Sequence, residues 1–437
     1  MLNIIPSVPS SLKRFSKNFR DLLNKSELEN FQIYTFGLYL ELKRKNLQAI
    51  DNCRVKKNYP SLHHFLSESP WNEEKVNERR IDLIQKDRRT RTSPKGALII
   101  DDTGCKKTGI YTEGAAIQYL SSEKHLVNCN TVVTSHYIDE KKGIPINLSP
   151  YVPADKFEEE KASSEFHTKI ELAKFLIRDA VRKGIQFREV LFDSWYFCRE
   201  LAEFCESYHF HWFSSLKENT VLYRKRTRGK VKKVKKRGKK RIRRYPKRKK
   251  KLTVKELVED LSPFYFQQIV KLQKDGKEQI RYIYGANFQV SPLKGTQRVV
   301  ISKPNPYTTN MGEIDVYVTD DLSLTDREIV LHASRRSKID EFYRDIKDNL
   351  GFDQYQVRSL RAIKRHWYLV FLAYTYLKIS NLKGAFQRVF KANVSLDTFG
   401  DLLRAFRKVS FIYFSRWLQN HYNVLFRYLQ VKEPVFT

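Results

Sequence analysis

Residues 93 to 104, SPKGALIIDDTG, set a short apolar run, Ala97 to Ile100, between Pro94 and Gly96 on one side and an acidic pair on the other. A run of that length with such boundaries reads as a buried strand. A second one, REVLFD (188–193), also ends in an acid. Between them AAIQYLSS, LVNCNTVVTSHYI and GIPINLSPYVP read as strands with short connections, an antiparallel meander. EFHTKIELAKFLIRDAVRKG (165–184) is an amphipathic helix with Gly184 at its stop. SWYFCRELAEFCESY reads as a helix capped by Ser194, and FHWFSSLK as a further strand.

The order of strands, helix, strand, helix, strand predicts an α/β fold with an RNase H-like catalytic core. The flanking regions differ in texture. Residues 1–92 read as a helical DNA-binding or docking domain, with one helix signalled by Ser69-Pro70 and the acidic residues after it. Residues 93–216 form the first part of the core. Residues 217–332 read as a basic and β-rich insertion, residues 333–380 as the catalytic-helix part of the core, and residues 381–437 as a helical C-terminal region. WYLVFLAYTYL (367–377) is too short to span a bilayer and reads as a buried helix.

The net charge is +33, from 82 Lys and Arg against 49 Asp and Glu. Such self-repulsion calls for a polyanionic partner, nucleic acid first. Residues 224–251 hold twenty Lys or Arg among 28 and no acid, a run expected to stay extended. Five cysteines without a C-x-x-C pair, and histidines without zinc spacing, argue against a disulfide frame or a zinc site. No signal peptide or membrane span is legible, so a cytoplasmic, nucleoid-associated protein is expected.

Asp102 and Asp193 read as the last residues of two strands of one sheet. Carboxylates brought that close repel one another unless a cation sits between them, and Mg²⁺ prefers oxygen ligands. A third acid on a packed helix would complete a two-metal site. The stretch SRRSKIDEFYRDIKDNLG (334–351) offers Asp340 and Glu341. At about 100° per residue, Arg336, Asp340 and Lys347 share one face beside the apolar stripe Ile339, Phe342, Ile346 and Leu350, while Glu341 points away from it.

IIDDTG, LFDSWY and KIDEFYRDIKDNLGFDQYQVRSLRAIKRHWYLVFLAYTYL resemble the DDE-type insertion-sequence transposases, in the cut-and-paste group with a β-rich insertion before the third carboxylate. SLHHFLSESPWNEEKV is similar to the helical domain of one subgroup, and the resemblance covers about 55 to 380. It implies Asp102, the acid before Thr103, as first ligand and Asp193, with Tyr196 nearby, as second. The family's spacing of Arg, three residues, Glu, six residues, Lys falls on Arg336, Asp340 and Lys347. Asp stands at the Glu position and Ala333 at the family's Tyr position; Glu341 is the alternative third ligand.

The resemblance further implies two Mg²⁺ ions, replaceable by Mn²⁺, double-stranded DNA as substrate, and a homodimer on paired ends. Strand cleavage and strand transfer at insertion-sequence ends would be the activity. Arg336, Lys347, Arg344, Lys106 and Lys107 are candidate DNA contacts. Two rival readings remain: a non-catalytic DNA-binding protein derived from a transposase, and a basic RNA-associated protein.

Overall fold

The computed structural model describes residues 8–429, apart from 41, 55–56, 110, 121–122, 155–165, 225–230, 237–238, 245–249, 273–277 and 390–395. The chain forms two compact units. One takes Met1–Gly96, Asp102–Gln186 and Lys338–Thr437; the other takes Ala97–Asp101 and Phe187–Ser337.

The first unit opens with helices α1 (Ser10–Ser16), α2 (Lys25–Tyr39), α3 (Leu47–Asn52), α4 (Tyr59–Ser67) and α5 (Glu73–Gln85). Asn24, Asn46, Asn58 and Asn72 cap the last four, each side chain accepting a first-turn N–H. α5 therefore starts at Asn72 rather than at Ser69-Pro70; Glu73 and Glu74 occupy its first turn, where the helix dipole favours acids. Ser69 instead donates its hydroxyl to Glu27, whose carboxylate also closes the capping box of α2.

β1 (Ala97–Lys106), β2 (Ala116–Leu120), β3 (His125–Ile138), β4 (Gly143–Tyr151) and α6 (Lys169–Arg182) follow. The meander is present, with β3 antiparallel to both β2 and β4. β1 does not end at its acids. It continues beside β3 and buries Thr103, Gly104 and Cys105, so Asp102 lies inside the strand. Thr103-Gly104 reads locally as a turn, and only the tertiary pairing overrides that. Gly184, at φ +69°, ends the α6 segment as expected.

The second unit carries β5 (Glu189–Phe192), α7 (Arg199–Ser207), β6 (His211–Ser215), β7 (Val221–Arg224), β8 (Val231–Lys236), β9 (Lys239–Arg244), β10 (Lys250–Thr253), α8 (Val254–Asp260), β11 (Gln267–Leu272), β12 (Glu278–Val290), β13 (Gln297–Lys303), β14 (Asp315–Thr319) and α9 (Asp326–Ser334). Its strands run in the order β10-β7-β12-β13-β14-β6-β5-β1. β1, β5 and β6 are parallel; the later strands are antiparallel, with β14 joined to β6. β8 and β9 pair as a separate antiparallel hairpin, so this part of the basic run is not simply extended. The side chains of 225–250 lie outside the described residues.

The first unit closes with α10 (Lys338–Leu350), α11 (Leu360–Leu382), α12 (Ala385–Val389) and α13 (Phe399–Leu429). α11 is the buried helix expected from its apolar run: Trp367, Leu369, Val370, Phe371, Leu372 and Ala373 are fully covered. Among the described residues no helix is long and apolar enough to cross a membrane.

Two buried histidines give this unit an acid sensitivity. His136 packs on Phe342, and His366 bonds the Tyr34 hydroxyl (2.7 Å) and the Gly351 carbonyl (3.1 Å). Burial lowers both to about 3; Lys378 and Arg80 lower His136 further. The unfolded chain takes up these protons near the ordinary value of about 6.5, the folded chain only near 3, so stability is lost as pH falls through that window. Stability from denaturant titrations is expected to fall by up to about 2.7 kcal/mol per pH unit below pH 6, and His136→Asn or His366→Asn to halve that slope. A flat profile between pH 7 and 4.5 would refute this.

Candidate active site

The parallel pair β1/β5 ends at Ile100↔Phe192, and the next residues are Asp101 and Asp193. Asp193 is half-buried, and its Oδ1 accepts the N–H groups of Trp195 (2.9 Å) and Tyr196 (3.2 Å). Its carbonyl accepts from Ser214 Oγ at 3.1 Å. Ser194 thus belongs to a turn folded around Asp193. α7 begins only at Arg199, with Cys198 in the cap position and no side-chain cap bond, which corrects the expected Ser194 cap. Asx side chains take turn N–H groups in this way, and the turn delays the helix.

Asp102 points to the other face of β1 from Asp101, as successive strand residues must. Its Oδ2 lies 2.9 Å from Lys169 Nζ at the start of α6, and that ammonium sits 5.3 Å over the Tyr151 ring. Gly104, two residues on, lies where a Cβ would meet Cys129 Sγ at 3.3 Å. On β3, Cys129 alternates with Asn130 and Thr134, which bond Tyr355 and, on α10, Tyr343. Asp102 therefore shares the sheet face of Lys169, and α10 packs against the opposite face.

On α10, Ile339, Phe342, Tyr343, Ile346 and Leu350 are buried, so the expected stripe is the packed one. Lys347 donates to the Gly104 carbonyl at 2.9 Å, which lays its face of α10 along β1. Asp340, seven residues earlier and about 20° away on the helix wheel, is exposed on that side. Glu341 pairs with Lys338 at 2.8 Å and lies near enough to Tyr374 of α11 to help raise its pKa, after burial. α10 thus turns Asp340 toward β1 and Glu341 toward α11. Asp102 and Asp340 are not brought to one face of β1.

Arg336 is not on that helix. It lies in a separate 3₁₀ turn, Arg335–Ser337, so the single face expected for Arg336, Asp340 and Lys347 is broken before α10. Arg336 Nη2 is 2.8 Å from Asp101 Oδ2, and Arg335 pairs with Glu189, which also bonds His332 Nδ1 at 2.7 Å. No local pattern announces these pairs, because both acids sit in strands far away in sequence. Lys106 is exposed and pairs with Glu123, and Arg344 is exposed. Lys107 turns inward: it donates to the Asp353 and Tyr355 carbonyls (2.8 and 3.2 Å) and sits 3.3 Å over the Tyr355 ring. Burial lowers its pKa to about 8, so its role as a surface phosphate contact is not supported by this placement.

Among the described residues no three His, Cys, Asp or Glu stand close enough to hold a metal ion together. The donor chemistry nevertheless fits Mg²⁺. Asp102, Asp193 and Asp340 offer only hard carboxylate oxygens, and Asp102 already holds a cation, the Lys169 ammonium.

A family model described as DDE superfamily endonuclease matches residues 18–271. The chain belongs to the DDE superfamily of endonucleases. A relative from Microchaete diplosiphon, described as "Probable transposase for insertion sequence element IS701", is 33% identical over 168 residues, 38% of this chain and 43% of the relative. The match thus spans less than half of that relative's length. These findings agree with the expected resemblance to DDE-type insertion-sequence transposases. For this DDE-superfamily endonuclease, the family match contains Asp101, Asp102 and Asp193 and stops before α10. The third acid therefore rests on motif spacing and on the geometry of α10.

Proposed function

We propose that this protein is a DNA transposase that cleaves and joins strands at insertion-sequence ends by a metal-dependent, cut-and-paste route. The observation that carries the reading is the endonuclease-superfamily match over residues 18–271, a segment that holds both Asp102, in β1, and Asp193, directly after β5. An RNase H-like core is supported by the chain order of strand, meander, helix, strand, helix, strand, with β1, β5 and β6 parallel. The charge of +33 suits a DNA partner, and paired ends suit a homodimer.

Asp102, Asp193 and Asp340, with Glu341 as the alternative to Asp340, would hold two Mg²⁺ ions, Asp102 exchanging Lys169 for an ion. When bound, the ions supply Lewis acidity at the phosphoryl oxygens and lower the cost of deprotonating the attacking oxygen. Asp193 stays oriented by its own turn. Arg336 and Lys347 meet backbone phosphates through charge-assisted hydrogen bonds, with Arg344 and Lys106 further out.

The Asp at the third position, together with the separation of Asp102 from the face of α10, favours a second reading, a DNA-binding derivative without catalysis. Nicking of double-stranded end DNA in Mg²⁺, with EDTA as control, separates the two. In the active case Asp340→Asn is expected to lower the nicking rate at least about a hundredfold, and Glu341→Gln to leave it within about threefold. The reverse order would move the third ligand to Glu341. Binding without cutting by the wild-type protein would establish the non-catalytic derivative.

A further inference from the structure

α4 packs into the first unit through Leu62, Phe65 and Leu66, which are buried. Another side of the same helix carries Tyr59, His63 and Ser67, spaced four residues apart and so on one face. That face lines a pocket of about 360 Å³, a volume that suits a small ligand or one unit of a polymer. The rings of Tyr59 and His63 lie 6.0 Å apart and are inclined by only 31°, which makes one aromatic wall. The other wall is the segment 356–359, between α10 and α11. It is firmly held: Ser359 Oγ accepts the Ala362 N–H at 3.3 Å, the Arg358 carbonyl accepts the Glu113 N–H at 2.9 Å, and the Glu113 carboxylate accepts the Leu360 N–H at 2.8 Å.

The chemistry of the lining selects the ligand. Gln48 Nε2 donates to Asn52 Oδ1 at 3.2 Å, and Gln356 Oε1 accepts from Asn46 Nδ2 at 3.0 Å. These bonds orient the two amides and leave the pocket an acceptor, Gln48 Oε1, and a donor, Gln356 Nε2. Arg358 is exposed, with its guanidinium 5.9 Å over the ring of Tyr111, itself 75% exposed. Among the described residues no acid lines the pocket. A nucleotide asks for this set: its base has a face to stack and an edge of donors and acceptors, and its phosphate suits a guanidinium fork. In a duplex the bases are stacked and paired inside, so only an unpaired base can enter. We propose that this pocket binds an unpaired nucleobase of the DNA, stacked on Tyr59 and His63, with its phosphate at Arg358. The inference rests on DNA as the partner in the reading given above, and not on cleavage.

The test uses the full chain in EDTA, so that cleavage plays no part. A duplex with a short single-stranded gap, carrying one 5-iododeoxyuridine in the gap, is compared with the same sequence fully paired. Basic charge elsewhere on the chain binds any DNA, so the readouts are the preference for the gapped form and the site of photo-crosslinking. The gapped DNA is expected to crosslink at Tyr59 or His63 and the paired duplex at neither. Tyr59→Ala is expected to weaken binding of the gapped DNA about tenfold and of the paired duplex by less than about twofold, with an unchanged thermal midpoint. Tyr59→Phe keeps the stacking face and should keep the preference. Arg358→Ala should weaken the gapped complex about fivefold and lower its salt slope by about one. The proposal fails if Tyr59→Ala leaves the preference intact, if it weakens both forms equally, or if the crosslink maps outside the pocket. It also fails if deoxyuridine monophosphate alone competes as well as gapped DNA, for then the pocket is a site for free nucleotides. A wild-type protein that binds neither form would instead overturn DNA as the partner, an outcome distinct from a duplex binder that ignores the gap.

Discussion

Asp193→Asn is expected to reduce nicking of end DNA in Mg²⁺ by about three orders of magnitude or more, while the fold and duplex affinity persist. Asn keeps an oxygen where Asp193 Oδ1 accepts the N–H groups of Trp195 and Tyr196, so the turn after β5 survives. What is lost is the negative charge that would hold a divalent ion. Asp193→Ala removes both and should be equally inactive, but less stable by about 1 kcal/mol, the usual cost of deleting a side chain that satisfies turn or cap N–H groups. Nicking rates and thermal midpoints of the two variants separate chemistry from scaffold. Appreciable nicking by Asp193→Asn would sink the metal-site proposal whatever the alanine variant does.

Much of the architecture was legible because it is written in short-range pattern. Four of the five initial helices, α2 to α5, carry Asn caps, and α10 shows its buried stripe directly in Ile339, Phe342, Ile346 and Leu350. Where tertiary contacts override local chemistry, the reading failed. Asp101-Asp102-Thr103-Gly104 resembles a strand end, yet β3 draws β1 on to Lys106. Ser194 resembles a helix cap, yet Asp193 takes the available N–H groups. Lys107 resembles a surface lysine, yet the Asp353 and Tyr355 carbonyls bind it. The candidate site was legible as residue types and spacing. The ion pairs Asp101–Arg336, Asp102–Lys169 and Glu189–Arg335 were not, because each joins residues remote in sequence, and no periodicity encodes such a meeting.

The scaffold of the first unit makes a prediction of comparable size. Arg80, on α5, is completely buried. Its guanidinium donates to Asn77 Oδ1 from both Nε and Nη2 (2.9 and 2.7 Å), to the Pro145 and Ile146 carbonyls of β4 (2.7 and 2.8 Å), and to Thr375 Oγ1 of α11 (2.8 Å). One side chain thus ties a helix, an edge of the meander and the central buried helix. Burial lowers its pKa to about 9, which leaves it charged at neutral pH, so these are charge-assisted bonds in a dry setting. Arg80→Met preserves much of the volume but strands the Pro145 carbonyl, the Thr375 hydroxyl and Asn77 Oδ1 without their Arg80 donors, and leaves the Ile146 carbonyl only Asn77 Nδ2 at 3.1 Å. The expected loss is about 3–5 kcal/mol, read from urea or guanidinium titrations, with Arg80→Lys intermediate because an ammonium reaches fewer of the acceptors. A loss under about 1 kcal/mol would mean that water or a side-chain shift satisfies those acceptors. β4 pairs with β3, beside which the Asp102 end of β1 runs, so nicking should fall together with stability in Arg80→Met. In Asp193→Asn it should fall alone.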